Sequence, residues 1–294
     1  MRTRFAPSPT GPLHLGHAYS ALFAHDMALR AGGEFLLRIE DIDQSRARPE
    51  WEELIYDDLS WLGLSWETPV VRQSDRLPVY RDTLTKLWNS DTLFACTCNR
   101  RDILAATSAP NEGEPVTGPD GIVYPGTCRA HRSDHGRLPI PDDAALRLDM
   151  GYAARAVSDP RAGGNVVTFQ EAGHGPKGET GFIDTTTRQL TDDIGDVVLA
   201  RRDMGTSYHL SVVIDDAEQG ITHVTRGQDL FEATKIHVVL QRLLVLPTPV
   251  YHHHRLIRDD QGKRLAKRDD ARAIRTYRDD GASPEDIRRL VGLS

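Results

Sequence analysis

Three cysteines are all that the 294-residue sequence contains. An odd number cannot all pair within one chain, and Cys96 and Cys98 are too close for an easy disulfide. A disulfide scaffold is therefore excluded, and the thiols are expected reduced or on a metal, in a cytoplasmic protein. Also missing is any apolar run approaching the roughly 18 residues that a membrane span needs, so no membrane partner is expected. The start, Met1-Arg2-Thr3-Arg4, imitates a basic signal-peptide head, but Pro7, Pro9, Gly11 and Pro12 follow where an apolar stretch should, which argues against a leader. Lysine is scarce, at five of 36 basic residues, and the net charge of −7 lacks the basic excess of a general nucleic-acid coat. The charge is unevenly spread. From Arg255 to Ser294 there are 11 basic and 8 acidic residues, so this stretch is +3 and the remainder −10. That balance leaves room for one RNA element held at one end of an acidic protein. Hydrophobic residues at 39% and charged residues at 27% are ordinary for a globular chain, whose length suits one to three domains.

A Pro-rich loop, Ala6 to Pro12, leads into a helical pattern carrying Ala18, Ala21, Leu22 and Leu29, ended by Gly32-Gly33. Phe35 to Ile39 reads as a short buried strand, followed by an amphipathic helix with Trp51, Leu54, Ile55, Leu59 and Leu62. Such strand–helix alternation marks a parallel α/β sheet. The texture turns irregular and Gly/Pro-rich after Phe94, with a possible strand at Val166 to Phe169. Regular texture resumes at Asp196 to Ala200. Strands are expected at Leu210 to Ile214 and Ile221 to Thr225, then a helix with Ile236, Val239, Leu240, Leu243 and Leu244. The expected organisation is 1–94, first half of a catalytic α/β domain; 95–190, an inserted α+β module; 191–246, the second half; and 247–294, a loop with a partly helical C-terminal segment.

The tract Arg4-Phe5-Ala6-Pro7-Ser8-Pro9-Thr10-Gly11-Pro12-Leu13-His14-Leu15-Gly16-His17 carries the chemistry. It is a turn-forming loop entering a helix N-terminus, where orphan N–H groups and the positive dipole end favour phosphate. His14 and His17, three apart, can share one side of the first turn, and Gly16 leaves the backbone bare for a flat base. The tract resembles the HIGH motif of class I aminoacyl-tRNA synthetases, in the form of the glutamyl/glutaminyl branch. The resemblance continues through Arg38 to Asp43, Ser207 to Asp216 and Thr225 to Leu230. It ends at Gly262-Lys263-Arg264-Leu265-Ala266-Lys267-Arg268, in the place of the KMSKS loop, with Ala266 where the family often has Ser. It implies a Rossmann-type catalytic domain that joins glutamate to ATP, with Mg²⁺ accompanying the nucleotide. His14, His17 and Lys267 are then the catalytic residues on the phosphates, and Gly16 completes the ATP site. A glutamate pocket needs cationic groups for two carboxylates and an anion for the ammonium. The resemblance places Arg4, Phe5, Ala6, Pro7, Ser8, Glu40, Tyr208 and Arg226 there, without deciding which Arg takes which carboxylate.

Cys96, Cys98 and Cys128 can hold a structural zinc if a fourth ligand exists. A shortened glutamyl-synthetase-like family has Cys-x-Cys followed by Tyr-x-x-x-Cys, which implies Tyr124; His131 remains a rival. His252-His253-His254, on a strand, would alternate faces and cannot all bind one ion, although one imidazole could line the ATP pocket. Only 27 residues follow Lys267, no room for a helical anticodon-binding domain. That directs the resemblance to the truncated glutamyl-Q tRNA(Asp) synthetase family. It implies glutamate activation without tRNA, then transfer to queuosine at the wobble position of tRNA(Asp), whose anticodon stem-loop would enter the active site of a monomer. Charging of a tRNA acceptor end by the same chemistry, or a non-catalytic tRNA-binding role, are the alternatives.

Overall fold

The computed structural model describes residues 1–107, 116–130, 138–158, 164–258 and 272–293. The chain order is β1 (Arg2–Phe5), α1 (Leu15–Arg30), β2 (Glu34–Ile39), α2 (Pro49–Trp61), β3 (Glu67–Arg72), α3 (Leu77–Asn89), β4 (Leu93–Cys96) and α4 (Arg100–Thr107). Next come the short pair β5 (Thr117–Gly118) and β6 (Gly121–Ile122), then β7 (Ala145–Leu148), α5 (Met150–Val157), β8 (Val166–Glu171), β9 (Gly181–Thr186), α6 (Thr187–Gln189) and β10 (Val198–Ala200). The last part holds α7 (Tyr208–Glu218), β11 (His223–Gly227), α8 (Phe231–Leu243), β12 (Val250–His254), α9 (Ile274–Asp279) and α10 (Pro284–Val291).

Strands β1, β2 and β3 form a parallel sheet, and β11, β12 and β8 run parallel in a second sheet closed by antiparallel β9. The edges of β1 and β11 meet: Arg2 N donates to Thr222 Oγ1 at 2.8 Å, and Thr222 N donates to the Arg2 carbonyl at 3.0 Å. Chain connections therefore leave in opposite directions from β1 and from β11, which makes the crevice at their C-terminal ends a topological switch point, the usual ligand position in an open α/β sheet. A separate antiparallel sheet, β10-β7-β4, shares its core with the second half: Leu93, Leu146, Leu199, Val212 and Tyr251 belong to one buried cluster. A second cluster joins Leu13, Leu22, Leu37 and Leu59 to Ile274, Ile287 and Val291, so α9 and α10 are packed onto the first half.

Residues Leu210 to Ile214, expected as a strand, are the middle of helix α7. Every residue from His209 to Asp216 is buried, so the helix shows no polar face and no 3.6-residue period. Ser207 decides the outcome locally, its side chain capping the helix at the Leu210 N–H. The strand expected at Ile221 begins two residues later, at His223. No helix among the described residues is long and apolar enough to cross a membrane.

Candidate active site

A cavity of about 390 Å³ opens at the switch point. Phe5, Ala6 and Ser8 enter it from the end of β1, Thr225 to Gly227 from β11, His254 to Ile257 from the end of β12, and His14, Gly16, His17 and Ser20 from α1. Of the residues expected to bind substrates, Arg4, Phe5, Ala6, Ser8, His14, Gly16, His17, Glu40, Tyr208 and Arg226 all line it. Pro7 does not; it lines an adjoining cavity of about 440 Å³ that shares Ser8, Glu40 and Tyr208 with the first. Lys267 and the rest of its loop from Gly262 to Arg268 lie outside the described residues.

Helix α1 begins with a histidine capping box. His14 Nδ1 accepts from Gly16 N at 3.1 Å, and His17 Nδ1 accepts from His14 N at 3.2 Å. A nitrogen that accepts an N–H cannot carry a proton, so each neutral ring holds its proton on Nε2. The cap thus fixes both tautomers, with each neutral ring's proton on Nε2, and no acidic residue stands in the first turn to oppose an anion. The rings are tilted at 36°, with centroids 3.8 Å apart. Gly16 has a reason other than an approaching base: a Cβ there would stand 3.0 Å from His14 Cε1 and crowd the capping ring.

The two candidate carboxylate-binding arginines differ. Arg4 is held by Asp216, Nε to Oδ1 at 3.0 Å and Nη2 to Oδ2 at 3.3 Å. Asp216 also takes Arg38 Nη1 at 2.8 Å, and this buried pairing keeps its carboxyl below the ordinary range although burial opposes it. Arg226 meets no carboxylate among the described residues; its Nη1 and Nη2 both reach His237 Nδ1 at 3.1 Å. Glu40, 3.2 Å from Arg38 Nη2, supplies negative charge to the same cavity, and burial pushes its carboxyl upward. Burial likewise raises the Tyr208 phenol. The set offers a desolvated cation, an anion and a hydroxyl within one cavity, groups complementary to a carboxylate and an ammonium.

His254 is the strand histidine that reaches the cavity, with Nε2 2.9 Å from Ser20 Oγ; burial depresses it to about 4. His253 turns away to Glu171 and Thr234. Ser20, Asp229 and Arg255 line the cavity without having been singled out from the sequence. Ser20 sits one turn beyond Gly16, and that helical spacing was the available signal.

Away from this cavity, the Cys96, Cys98 and Cys128 sulfurs lie within 4.8 Å of one another, with Cys98 and Cys128 3.5 Å apart. Tetrahedral zinc with 2.3 Å bonds sets its sulfurs about 3.8 Å apart, so the three thiols fit such an ion. Tyr124 Oη stands 3.4 Å from Cys96 Sγ and 3.5 Å from Cys98 Sγ, and accepts the Cys128 N–H at 2.8 Å. Burial opposes ionisation of Cys128, but hydrogen bonds from Tyr124 and from the Thr97 backbone bring its thiol down to about 7. His131 lies outside the described residues.

The catalytic-domain family of class I tRNA synthetases (E and Q) matches residues 1–116 and 178–294. A glutamyl-Q tRNA(Asp) synthetase of Rhodobacter capsulatus is 62% identical over the whole of both chains. A glutamate–tRNA ligase of Aquifex aeolicus is 35% identical over 97% of this chain and 55% of its own length. Among solved structures, a glutamate tRNA ligase of Elizabethkingia meningosepticum crystallised with its amino acid matches all of this chain with a TM-score of 0.72 and 25% identity. The chain spans 60% of that ligase.

Proposed function

The chain belongs to the glutamyl-Q tRNA(Asp) synthetases, class I synthetase ligases of the E and Q catalytic-domain family, and from that premise we propose that it activates L-glutamate with ATP in the absence of tRNA and then transfers the glutamyl group to queuosine at the wobble position of tRNA(Asp). The observation that carries this reading is the shared cavity, in which Arg226 and Glu40 face the same space as the His14–His17 pair.

In the first step an α-carboxylate oxygen of glutamate attacks the α-phosphorus of ATP and pyrophosphate leaves. Negative charge grows on the phosphate oxygens, and the Nε2–H groups of His14 and His17 with the N-terminus of α1 supply fixed donors for it. Lys267, by family resemblance, would add a mobile point charge, and Mg²⁺ bound with ATP would neutralise the departing pyrophosphate. Arg226, which meets no carboxylate among the described residues, is assigned to a glutamate carboxylate. Arg4, already shared with Asp216, is assigned to orienting the second. Glu40 takes the ammonium, Ser8 and Tyr208 add hydroxyl contacts, and Phe5 and Ala6 shape the wall, with Pro7 behind them on the adjoining cavity. In the second step a hydroxyl of the queuosine ring attacks the carbonyl of the mixed anhydride, an ester forms and AMP leaves. The anticodon stem-loop would enter past the inserted segment 95–190 and the basic-leaning stretch after Arg255. Zinc is assigned to Cys96, Cys98 and Cys128, with Tyr124 as fourth ligand, in a structural role. A cytoplasmic setting, where thiols stay reduced, accords with it.

Glutamate-dependent exchange of labelled pyrophosphate into ATP is expected without any tRNA. Labelled glutamate is then expected on tRNA(Asp) that carries queuosine and not on the same tRNA without it. Absence of exchange removes the activation step, and equal labelling of both tRNAs moves the acceptor from the modified base to the terminal ribose.

A further inference from the structure

The guanidinium of Arg226 is one end of a line of polar groups that runs out of the cavity, hydrogen-bonded through two histidines and facing a carboxylate at its far end. Its Nη1 and Nη2 reach His237 Nδ1 at 3.1 Å, His237 Nε2 reaches His209 Nδ1 at 3.1 Å, and His209 Nε2 faces Asp120 Oδ1 at 3.6 Å. An arginine has only donors, so His237 Nδ1 must accept. The proton of a neutral His237 is then on Nε2, and it donates to His209 Nδ1. His209 in turn keeps its proton on Nε2, pointed at Asp120. Every donor in the line points one way, from Arg226 to the carboxylate. Burial, followed by the nearby Arg226, holds His237 well below its ordinary range, so the neutral ring that this ordering needs is the one present.

The line has little freedom. Tyr251 lies under Arg226, its ring 4.9 Å from the guanidinium carbon, and is itself fixed by Gln241 at 2.8 Å. The Tyr208 ring meets His237 edge-on at 5.5 Å. Asp120 sits in the turn between β5 and β6, and that hairpin is docked so closely that a Cβ on Gly118 would stand 2.5 Å from the Asp193 carbonyl oxygen.

We propose that His237, His209 and Asp120 are positioning residues for the glutamate site, holding Arg226 in the orientation that grips a substrate carboxylate. The inserted segment thereby sets glutamate affinity through Asp120. This rests on Arg226 being a glutamate-binding residue, as assigned above. None of the three line residues lines the cavity, so their removal leaves the ATP-facing groups in place.

The test uses the full chain, with KM for glutamate and for ATP measured in pyrophosphate exchange and glutamate Kd measured by calorimetry without ATP. His237→Leu is expected to raise glutamate KM and Kd roughly 10- to 100-fold, as loss of a hydrogen bond to a charged group would, with ATP KM within about twofold. His237→Asn, which keeps an oxygen acceptor near the place of Nδ1, is expected to restore most of the affinity. Asp120→Ala, at a hairpin turn, is expected to keep the melting temperature and raise glutamate KM about two- to fivefold. Equal effects on both substrates, or no recovery in His237→Asn, overturn the positioning role. If His237→Leu does not fold, an unchanged glutamate KM in Asp120→Ala overturns it. Arg226→Lys separates the two readings. If it weakens glutamate while the line variants do not, only the line is wrong; if it has no effect, the glutamate assignment and the line fall together.

Discussion

Asp58 stands alone in a way that the other buried acids do not. It is fully buried on α2, and neither carboxylate oxygen has a hydrogen-bond partner among the described residues. Burial, reinforced by adjacent Asp57, lifts its carboxyl to about 7 against the attraction of Arg278 and Arg275. Asp215 and Asp216 are as deeply buried, but Gln73, Arg76 and Tyr80 hold the first and Arg4 and Arg38 the second. A carboxyl whose folded-state value is raised binds its proton more tightly when folded. Asp58 therefore adds no ionisation penalty at pH values below the ordinary carboxylate range, and that penalty grows between about pH 4 and 7 to a ceiling on the order of 4 kcal/mol. Asp58→Asn, the neutral isostere, is expected to raise stability by a few kcal/mol at pH 8 and by much less at pH 5. Urea unfolding at the two pH values checks it, and an equal change at both would place the penalty elsewhere.

At the scale of elements, helix ends repeat one device. Past α1, Gly32 N donates to Leu29 O and Gly33 N to Ala28 O, with Gly32 at φ +59°. Past α8 the same two bonds run from Val245 N to Arg242 O and from Leu246 N to Gln241 O, but the left-handed residue is Val245, at φ +55°. This is the Schellman pattern, which favours glycine because a Cβ clashes with the backbone there. A β-branched residue at that position is strained, and Val245 is 90% exposed, so packing does not repay the strain. Val245→Gly is expected to stabilise the chain by about 1 kcal/mol, the relief of strain outweighing the greater freedom of glycine when unfolded. A rise in melting temperature with unchanged exchange activity would show it; a fall would mean that the αL strain is absent.

At the scale of the whole molecule, the three-cysteine cluster ties together parts that pack little of their own core. Cys96 ends β4, Cys98 precedes α4, and Cys128 lies beyond the β5–β6 hairpin. Among the described residues the associated apolar cluster holds Phe94, Cys96, Tyr124 and Cys128, with Cys98 and Ile103 packed against it. A metal there would contribute folding free energy directly. The purified chain is expected to carry about one zinc, lost in Cys128→Ser. Chelation is expected to lower the melting temperature, and glutamate affinity with it, because Asp120 sits on the hairpin that leads directly into Tyr124 and Cys128. Metal-free protein with native stability would return the thiols to simple packing.

The sequence alone determined the strand–helix alternation, the helix start at His14-x-x-His17 and the compositional break after Phe94, because each is written in local chemistry: turn residues, caps and periodicity. The ordered motifs from Arg4 to Leu230 also named ten of the residues that line the cavity, though not Ser20 or Arg255, since groups at strand ends keep short, fixed spacings from the turns that carry them. Pairing across the chain was not legible there. Periodicity could not tell α7 from a strand, because a helix buried all round has no polar face to give its period; the Ser207 cap was the one local mark of it. Nothing local showed that Asp216 occupies Arg4 and leaves Arg226 to the cavity, since those partners lie more than 200 residues apart in one case and on different elements in the other. The tautomers of His14, His17, His237 and His209 follow only from which nitrogen meets which donor. The tertiary structure decided these points because hydrogen-bond direction and burial belong to the assembled neighbourhood rather than to any residue in it.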